Sequence, residues 1–347
     1  MRRLIPIVLF LFARAVLAAE PPTHAVVFMY HRFGESEYPS TSVTVEQFRA
    51  HLDYLDSAGF HVWPLGKLVT ALKKGYPVPD NTVAISVDDA YESVYTRAYP
   101  LLKSHGFPFT VFVSTAAVDR KLPAFMSWGQ MREMARHGAS YANHSVSHAH
   151  LLQRKPGESD ANWKLRIRGE LTRAQARLHQ ELGDDVNESP RLFAYPYGEY
   201  DTALAGLVNE MGYVAFGQES GAIGLPFDPR ALPRYPINEH FAEQREFELK
   251  ANTLALPIAS VDPWDPTTTP AAGEPRLRVT LQAADWLRPA ALNCYFQGRK
   301  VDLHWQADGR TFSLTEPDSL PAGRTRYNCT ARRSDGRYAW YSHLFIR

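Results

Sequence analysis

Short apolar runs alternate with stretches of helical periodicity over the first two thirds of the chain. We predict strands at the apolar runs, which cover residues 25–30, 60–63, 82–87, 109–113, 139–142, 192–195 and 213–216. Apolar residues recur at helical spacing between these runs, over residues 45–59, 65–74, 94–105, 128–137, 163–182 and 202–211. The repeated order of strand and helix predicts an α/β fold, with a parallel sheet or barrel that is covered by helices.

The pattern changes after residue 256. Residues 257–275 are rich in Pro, Thr and Ala, a composition that is typical of a linker. Residues 276–347 contain short β-like runs separated by turn sequences such as Asp308-Gly309. We therefore expect a large α/β domain over 19–256, a linker over 257–275, and a small antiparallel, sandwich-like β domain over 276–347.

The N-terminus has the features of a secretory signal peptide. Met1-Arg2-Arg3 is followed by an apolar run over 4–12 and by small residues before Ala19. The run is shorter than the roughly 20 residues of a membrane span. We expect cleavage of residues 1–18 and an exported protein (periplasmic, cell-surface or secreted) without a stable membrane span. An uncleaved N-terminal anchor is the alternative.

Composition limits the possible partners and the redox state. The chain is 45% hydrophobic with a formal net charge of +1, so it is a folded globular protein without a broad basic field for nucleic acid. Its two cysteines, Cys294 and Cys329, both lie in the tail. In an exported protein such a pair is most simply a disulfide, with two free buried thiols as the alternative. The oligomeric state stays open.

Three polar segments each follow a predicted strand. Asp88 and Asp89 come directly after the strand at 82–87, His144 and His148 follow the strand at 139–142, and 191–198 runs from a strand into a turn containing Pro and Gly. Ligands in parallel α/β folds bind beyond the carboxyl ends of the strands, so we expect the segments to meet there. Each segment alone also has an ordinary explanation: a capped turn, a His-rich stretch, or a strand exit with packed aromatic residues.

Together the segments supply the groups of a metal-dependent hydrolase. One Asp and two His suit zinc or another divalent first-row ion. His144 and His148 would share a face if the backbone turned helically between them. The second carboxylate of the Asp pair would then be free to act as a general base.

These segments resemble the motifs of the polysaccharide deacetylases of carbohydrate esterase family four. The family's Asp-Asp motif is matched by residues 86–91, its His-x-x-x-His motif by 143–148, and its motif ending in Pro-Tyr-Gly by 193–198. The resemblance covers roughly residues 25–256, and it is closer to the exported bacterial branch that includes poly-N-acetylglucosamine deacetylases.

The resemblance implies an irregular (β/α) barrel that hydrolyses N-acetyl groups of an N-acetylglucosamine-containing polysaccharide or oligosaccharide and releases acetate. The implied cofactor is a divalent metal, most simply Zn²⁺, with Co²⁺ or Ni²⁺ as alternatives. Matched by position, Asp89, His144 and His148 would bind the metal and Asp88 would be the general base. The backbone N–H of Tyr197 would help to hold the oxyanion.

Other site residues follow less directly from the motifs. His31, Tyr195 and Trp128 are candidates for contacts with the sugar, although aromatic residues lie more often in the core. The family's general acid is usually a late histidine in a Leu-x-His setting. The late candidate here is His240, in a different setting, and His31 is the other candidate.

One departure from the family pattern concerns the general base. Many members carry an Arg two residues before the Pro of the third motif, where it orients the base, but this chain has Ala194 there. Arg191 could replace it only by reaching back into the site. This departure and the unassigned acid keep a second hypothesis open, a catalytically weak or inactive glycan-binding protein on the same fold.

Overall fold

The computed structural model describes residues 24–187, 189–267, 276–315, 317 and 320–347. The predicted signal peptide, residues 1–18, lies outside the described residues. The strands of the α/β part run in this order: β1 (His24–Tyr30), β2 (Arg32–Phe33), β3 (Ser42–Val43), β4 (His61–Val62), β5 (Thr82–Asp88), β6 (Phe109–Val113), β7 (Ala139–Asn143), β8 (Arg191–Ala194), β9 (Tyr213–Phe216), β10 (Ile223–Gly224) and β11 (Tyr235–Pro236).

Helices cover the sheet as the periodicity predicts. They are α1 (Val45–Ser57), α2 (Leu65–Lys74), α3 (Tyr99–His105), α4 (Thr115–Asp119), α5 (Trp128–Ala135), α6 (Asp160–Leu182), α7 (Thr202–Glu210) and α8 (Gln244–Ala251). The predicted helix over 94–105 differs, because it opens with a π-helical turn (Val94–Ala98) in which the N–H of Tyr99 donates to the carbonyl of Val94. Pro100 has no N–H with which to continue an α-helical ladder.

The main sheet has the strand order β10-β1-β5-β6-β7-β8-β9, with β4 beside β5 and β11 beside β1. All of its pairs are parallel except β1 with β10. Leu232 bridges Phe216 of β9, and Tyr235 pairs with Phe28 of β1. The segment 232–236 therefore contacts both edges and joins the last strand to the first. The result is the expected α/β fold of irregular (β/α) barrel type.

Alternate residues of the strands belong to different cores, as the two-residue period of a strand requires. In β5, Ala84 packs with Phe112 and Phe216 inside the barrel, where residues of α2 also contribute. Ile85 and Val87 pack outward against helices. Asp88 has the same parity as Ala84, so its side chain points into the barrel at the carboxyl end of the strand.

The end of the chain forms two further sheets with a shared core. Their strands are β12 (Leu254–Ala255), β13 (Ile258–Asp262), β14 (Leu277–Leu281), β15 (Leu292–Phe296), β16 (Arg299–Val301), β17 (His304–Trp305), β18 (Thr311–Leu314), β19 (Arg324–Arg332) and β20 (Tyr338–Ile346). The sheet orders are β12-β20-β19-β15-β16 and β13-β14-β18-β17. We call these strands the C-terminal β unit. Its first strands include residues 258–262 of the predicted linker, whereas 268–275 lie outside the described residues.

A disulfide joins the two sheet neighbours Cys294 and Cys329, which confirms the predicted pairing. The C-terminal β unit packs against the barrel. Leu344 belongs to a core with Trp163 and other barrel residues, and the ring of Trp340 meets that of Tyr235 edge-on. Within the described ranges, no helix combines the length and apolar character needed to cross a membrane.

Candidate metal and catalytic site

The ends of β5, β7 and β8 meet at one end of the barrel, as the sequence predicts. Asp88 ends β5 with a side chain that is completely buried. Asp89 follows in a left-handed conformation (φ 76°), and its N–H donates to the carbonyl of Phe112 at 3.1 Å. Because of this turn, the two adjacent carboxylates point in different directions and contact different partners.

Asp89 lies between two imidazoles. Its Oδ1 is 3.3 Å from Nε2 of His144 and 3.1 Å from Nε2 of His148. One potential ligand atom from each residue lies within 4.8 Å of the other two. The expected metal-ligating residues are therefore brought together at the carboxyl ends of the strands.

The backbone conformation that brings the two histidines together differs from the predicted helical turn. Residues 144–148 form a loop instead of a helical turn, with left-handed backbone at Ser145 (φ 67°) and His148 (φ 53°). The carboxylate of Glu170 accepts the N–H groups of Val146 and Ser147 at 3.1 and 2.9 Å. These bonds hold the loop open so that His148 folds back toward Asp89.

The imidazole of His144 is oriented by both of its nitrogens. Its Nδ1 lies 2.8 Å from the carbonyl oxygen of Ala194 at the end of β8. Nδ1 must carry the hydrogen to donate there, which leaves Nε2 free to bind a metal. Burial acts to lower the pKa of His144, but the contact with Asp89 and the charge of Asp88 raise it overall.

The carboxylate of Asp88 is paired with an arginine that the sequence motifs do not predict. Arg234 donates from both terminal nitrogens to the carboxylate, at 2.7 Å to Oδ1 and 2.8 Å to Oδ2, and both side chains are fully buried. Burial acts to raise the pKa of Asp88, but the Arg234 guanidinium and then His144 hold it below its usual value. Arg191, by contrast, is exposed at the start of β8.

Arg234 lies on the segment that closes the barrel, and its guanidinium points inward near the rings of Phe112 and Phe216, at 5.2 and 5.8 Å. Because this chain has Ala194 at the position where many family members carry the arginine, a substitute for it is expected elsewhere. Nothing in the local pattern around Pro233 and Tyr235 marks Arg234 as that substitute, because charged residues of irregular segments are usually solvated.

The turn Pro196–Gly198 lies beside the candidate metal-ligating histidines. Tyr197 has a left-handed backbone (φ 60°), and its ring lies edge-on to His148 with centroids 4.6 Å apart. The ring also stacks on that of His150, with centroids 3.9 Å apart, and Nδ1 of His150 lies 2.7 Å from Oε2 of Glu199. Burial and then the charge of Asp89 raise the pKa of Tyr197, in keeping with this position next to the cluster.

His31 lies near enough to the Asp pair for their charges to act on it. Burial lowers its pKa, while the negative charges of Asp88 and Asp89 oppose that change. Next to it, Arg32 lies over the ring of Tyr91 at 3.5 Å. Burial and then the charge of Asp89 raise the pKa of Tyr91 to about 12. Tyr91 is thus a further neighbour of Asp89.

Three sequence-predicted residues do not join the cluster. The Tyr195 side chain is fully buried, and its hydroxyl donates to the carbonyl of Arg230 at 2.8 Å, so it packs in the core and does not face a sugar. The indole of Trp128 donates to Asp119 at 2.9 Å. His240 is exposed on a short turn, and no contact among the described residues connects it to Asp89.

A family model described as polysaccharide deacetylase matches residues 75–216. The chain contains a polysaccharide deacetylase domain. The matched residues of the deacetylase domain include both members of the Asp pair, both candidate metal-ligating histidines and the Pro-Tyr-Gly turn. Arg234, His31 and His240 lie outside the match.

Relatives and solved structures agree with this assignment. The chain is 26% identical over 274 residues to the poly-beta-1,6-N-acetyl-D-glucosamine N-deacetylase of Escherichia coli K12, covering 66% of this chain but only 40% of that protein. It is 24% identical over 216 residues to the protein of the same name from Staphylococcus aureus NCTC 8325, covering 61% of this chain and 73% of that one.

The fold of the deacetylase domain also matches the Streptococcus pyogenes deacetylase PplD, solved in complex with acetate. The TM-score is 0.57 at 21% identity, and the match covers 65% of this chain and 97% of PplD. At that identity the likeness establishes the fold.

Proposed function

We propose that this protein removes N-acetyl groups from an N-acetylglucosamine-containing polysaccharide in a metal-dependent hydrolysis, releasing acetate and leaving a free amine. The observation that carries the proposal is the grouping of Asp89, His144 and His148 beside an Asp88 carboxylate that is paired with Arg234. The E. coli and S. aureus relatives named as poly-beta-1,6-N-acetyl-D-glucosamine N-deacetylases support this substrate class. The predicted signal peptide supports an exported site of action.

The donor set fits a divalent first-row ion. The Asp89 oxygen lies 3.1 and 3.3 Å from the two histidine nitrogens, close to the separation of roughly 3.4 Å expected for tetrahedral ligands about 2.1 Å from a shared Zn²⁺. Three protein ligands leave a position for water, which is the arrangement of catalytic zinc sites. When bound, the ion would polarise the acetyl carbonyl and lower the pKa of its water. We propose Zn²⁺, with Co²⁺ and Ni²⁺ as the alternatives to test.

Asp88 is suited to accept the proton of the attacking water. Arg234 binds both carboxylate oxygens from one side and leaves each oxygen a further lone pair. The bidentate pair also fixes the plane of the carboxylate, so that the base is oriented before substrate binds. The backbone N–H of Tyr197 is the proposed donor to the oxyanion that forms on the acetyl carbonyl.

Cleavage of the amide leaves an amine that must take up a proton. His31 and His240 are the proposed donors, and the variants His31→Gln and His240→Gln separate them. His31 is the candidate whose charge interacts with Asp88, Asp89 and His144. Loss of acetate release in one variant alone assigns the acid to that histidine.

Acetate release from N-acetylglucosamine oligomers tests the proposal. The purified chain is measured after chelation and again after Zn²⁺, Co²⁺ or Ni²⁺ is restored, with Asp88→Asn as the matched inactive control. Release that depends on metal and is lost in Asp88→Asn is the expected result. Saturable glycan binding without acetate release under any of these metals would instead favour the glycan-binding hypothesis.

A further inference from the structure

Strand β19 of the C-terminal β unit presents two arginines to the deacetylase domain. Thr325 and Tyr327 are buried on one face of the strand. Arg324 and Arg326 alternate with them and lie on the opposite face. Leu344 of β20, which is paired with Arg326, packs in a core with barrel residues. This face of the sheet is therefore the one that contacts the barrel.

Arg324 contacts the turn of the third motif directly. Its Nη1 donates to the carbonyl oxygen of Tyr197 and lies 3.5 Å from Oε1 of Gln218. Gln218 in turn packs under Gly198, where an added Cβ would lie 2.7 Å from its Cγ. The turn is thus held between a barrel loop and an arginine from the C-terminal β unit.

The same loop, residues 217–219, also supports Arg234. The carbonyl of Gly217 accepts the Nε of Arg234 at 3.0 Å, and the carbonyl of Glu219 accepts its backbone N–H at 2.9 Å. The Glu219 side chain is buried, and its carboxylate folds back so closely that a Cβ on Gly217 would lie 1.9 Å from Oε2. Burial raises the pKa of that carboxyl, and the positive charge of Arg326 opposes the rise.

A line of contact therefore runs from β19 to the proposed catalytic groups. It passes from Arg324 to the Tyr197 turn and to Gln218, which belongs to the loop that also supports Arg234. Arg324 lies outside the region that matches the polysaccharide deacetylase family model.

We propose that Arg324 is a positioning residue, through which the C-terminal β unit sets the geometry of the Tyr197 turn and of the 217–219 loop that supports Arg234. This inference rests on the proposed deacetylase function for its catalytic consequence. The left-handed backbone of Tyr197 is strained for a residue other than glycine, and it persists only when its surroundings hold it. Small displacements of an oriented donor can reduce a rate by up to about 10²-fold.

Arg324 gives the sharper test because it is exposed and can be removed without opening a core. Arg324→Ala and Arg324→Lys are compared with Arg332→Ala, which removes an exposed arginine from the far end of the same strand and the same face. We expect kcat for acetate release to fall about tenfold in Arg324→Ala, with KM and bound metal little changed. Arg324→Lys should recover part of the loss, and guanidinium ion added to Arg324→Ala should recover part as well. Arg332→Ala should behave like the unaltered chain.

Hydrogen exchange of the peptides that contain residues 195–199 and 217–219 gives a readout that needs no substrate. These peptides should exchange faster in Arg324→Ala than in Arg332→Ala, while the β19 core exchanges at the same rate in both. Unchanged exchange, or an unchanged kcat in an active enzyme, overturns the positioning role. If the unaltered chain releases no acetate, the proposed function fails, and the exchange result still decides whether Arg324 holds the turn.

Discussion

The candidate site has two halves that are built in different ways. The strand-end half consists of Asp88, Asp89, His144 and His148, each of which lies at a strand end or in the loop directly after it. The closing half consists of Arg234, the 217–219 loop and Arg324, which come from irregular segments and from the C-terminal β unit. The first half carries the acids and imidazoles, and the second supplies the cations and carbonyls that orient them.

This difference has a structural cause. A parallel barrel brings the carboxyl ends of its strands together whatever the loops are, so the strand-end half follows from the sheet order. The closing half depends on one irregular segment that spans the gap between β9 and β1. We therefore expect changes in the strand-end half to abolish the chemistry, and changes in the closing half to weaken geometry and stability.

Removal of a candidate metal-ligating residue should have the largest effect. In Asp89→Ala and His144→Ala, metal affinity should fall by more than the 10- to 100-fold that loss of an indirect partner costs. Acetate release should fall by about 10³-fold or more, because the water loses its activation. Elemental analysis and acetate release check this, with the exposed His137→Ala as the control. Full metal content in His144→Ala would show that the strand-end half does not form the metal site.

Loss of Arg234 should have the next largest effect, and mainly on stability. Arg234→Met leaves the fully buried Asp88 carboxylate without its cation, which should lower the free energy of unfolding by about 3–5 kcal/mol. Asp88→Asn added to Arg234→Met should recover part of that loss, because the uncompensated charge disappears. Urea unfolding of the chelated proteins measures the cycle, with the exposed Arg191→Met as control. Additive losses in the double variant would mean that the two side chains do not form a coupled pair.

The same contrast explains what could be predicted from the sequence. Each barrel element carries its periodicity in its own residues, so the strands predicted at 109–113 and 213–216 have the bounds of β6 and β9. The expected metal-ligating residues are brought together because they follow such strands. Arg234 could not be found in this way, since it lies 146 residues from its partner in a segment without a period. The loop geometry of His144–His148 depends on Glu170, a long-range contact that spacing alone does not reveal.

Loss of the disulfide should affect the closing half of the site and leave the strand-end half unchanged. Replacing both Cys294 and Cys329 by Ala should lower the free energy of unfolding by about 2–4 kcal/mol, as expected for a loop spanning a sequence separation of 35. The metal content should stay the same, because the strand-end half lies in the barrel, while kcat should move toward that of Arg324→Ala. Calorimetry, elemental analysis and acetate release on one sample test this. Loss of metal in the double variant would show that the barrel depends on the C-terminal β unit for more than positioning.

Substitution of Gly198 measures how tightly Gln218 packs against the turn, separately from the strain of a positive φ. Gly198→Ala places a Cβ at a positive φ of 69° and 2.7 Å from the Gln218 side chain, and we expect a loss of about 1–3 kcal/mol. Gly212→Ala is the matched control, because Gly212 has a φ of 84° and no heavy atom within 4 Å of an added Cβ. The difference between the two variants in urea unfolding isolates the contact with Gln218. Equal losses of unfolding free energy in the two variants would mean that the Gln218 side chain is not packed against the turn at Gly198.

Glu219 should give the smallest effect, a change in how stability depends on pH. Burial raises the pKa of its carboxyl above the usual 4.5, with Arg326 and Tyr200 opposing that rise and Arg234 opposing it more weakly. The folded state thus takes up a proton more readily than the unfolded state, so the stability contributed by protonated Glu219 is complete below pH 4.5. It is lost as the pH rises through the folded-state value. Glu219→Gln removes this loss, so its advantage in unfolding free energy over the unaltered chain should grow from pH 4.5 upward. Arg326 and Arg234 stay charged over this pH range, so they do not contribute to the change. If the difference in unfolding free energy between Glu219→Gln and the unaltered chain did not vary with pH, the Glu219 carboxylate would be solvated and would not belong to the closing half.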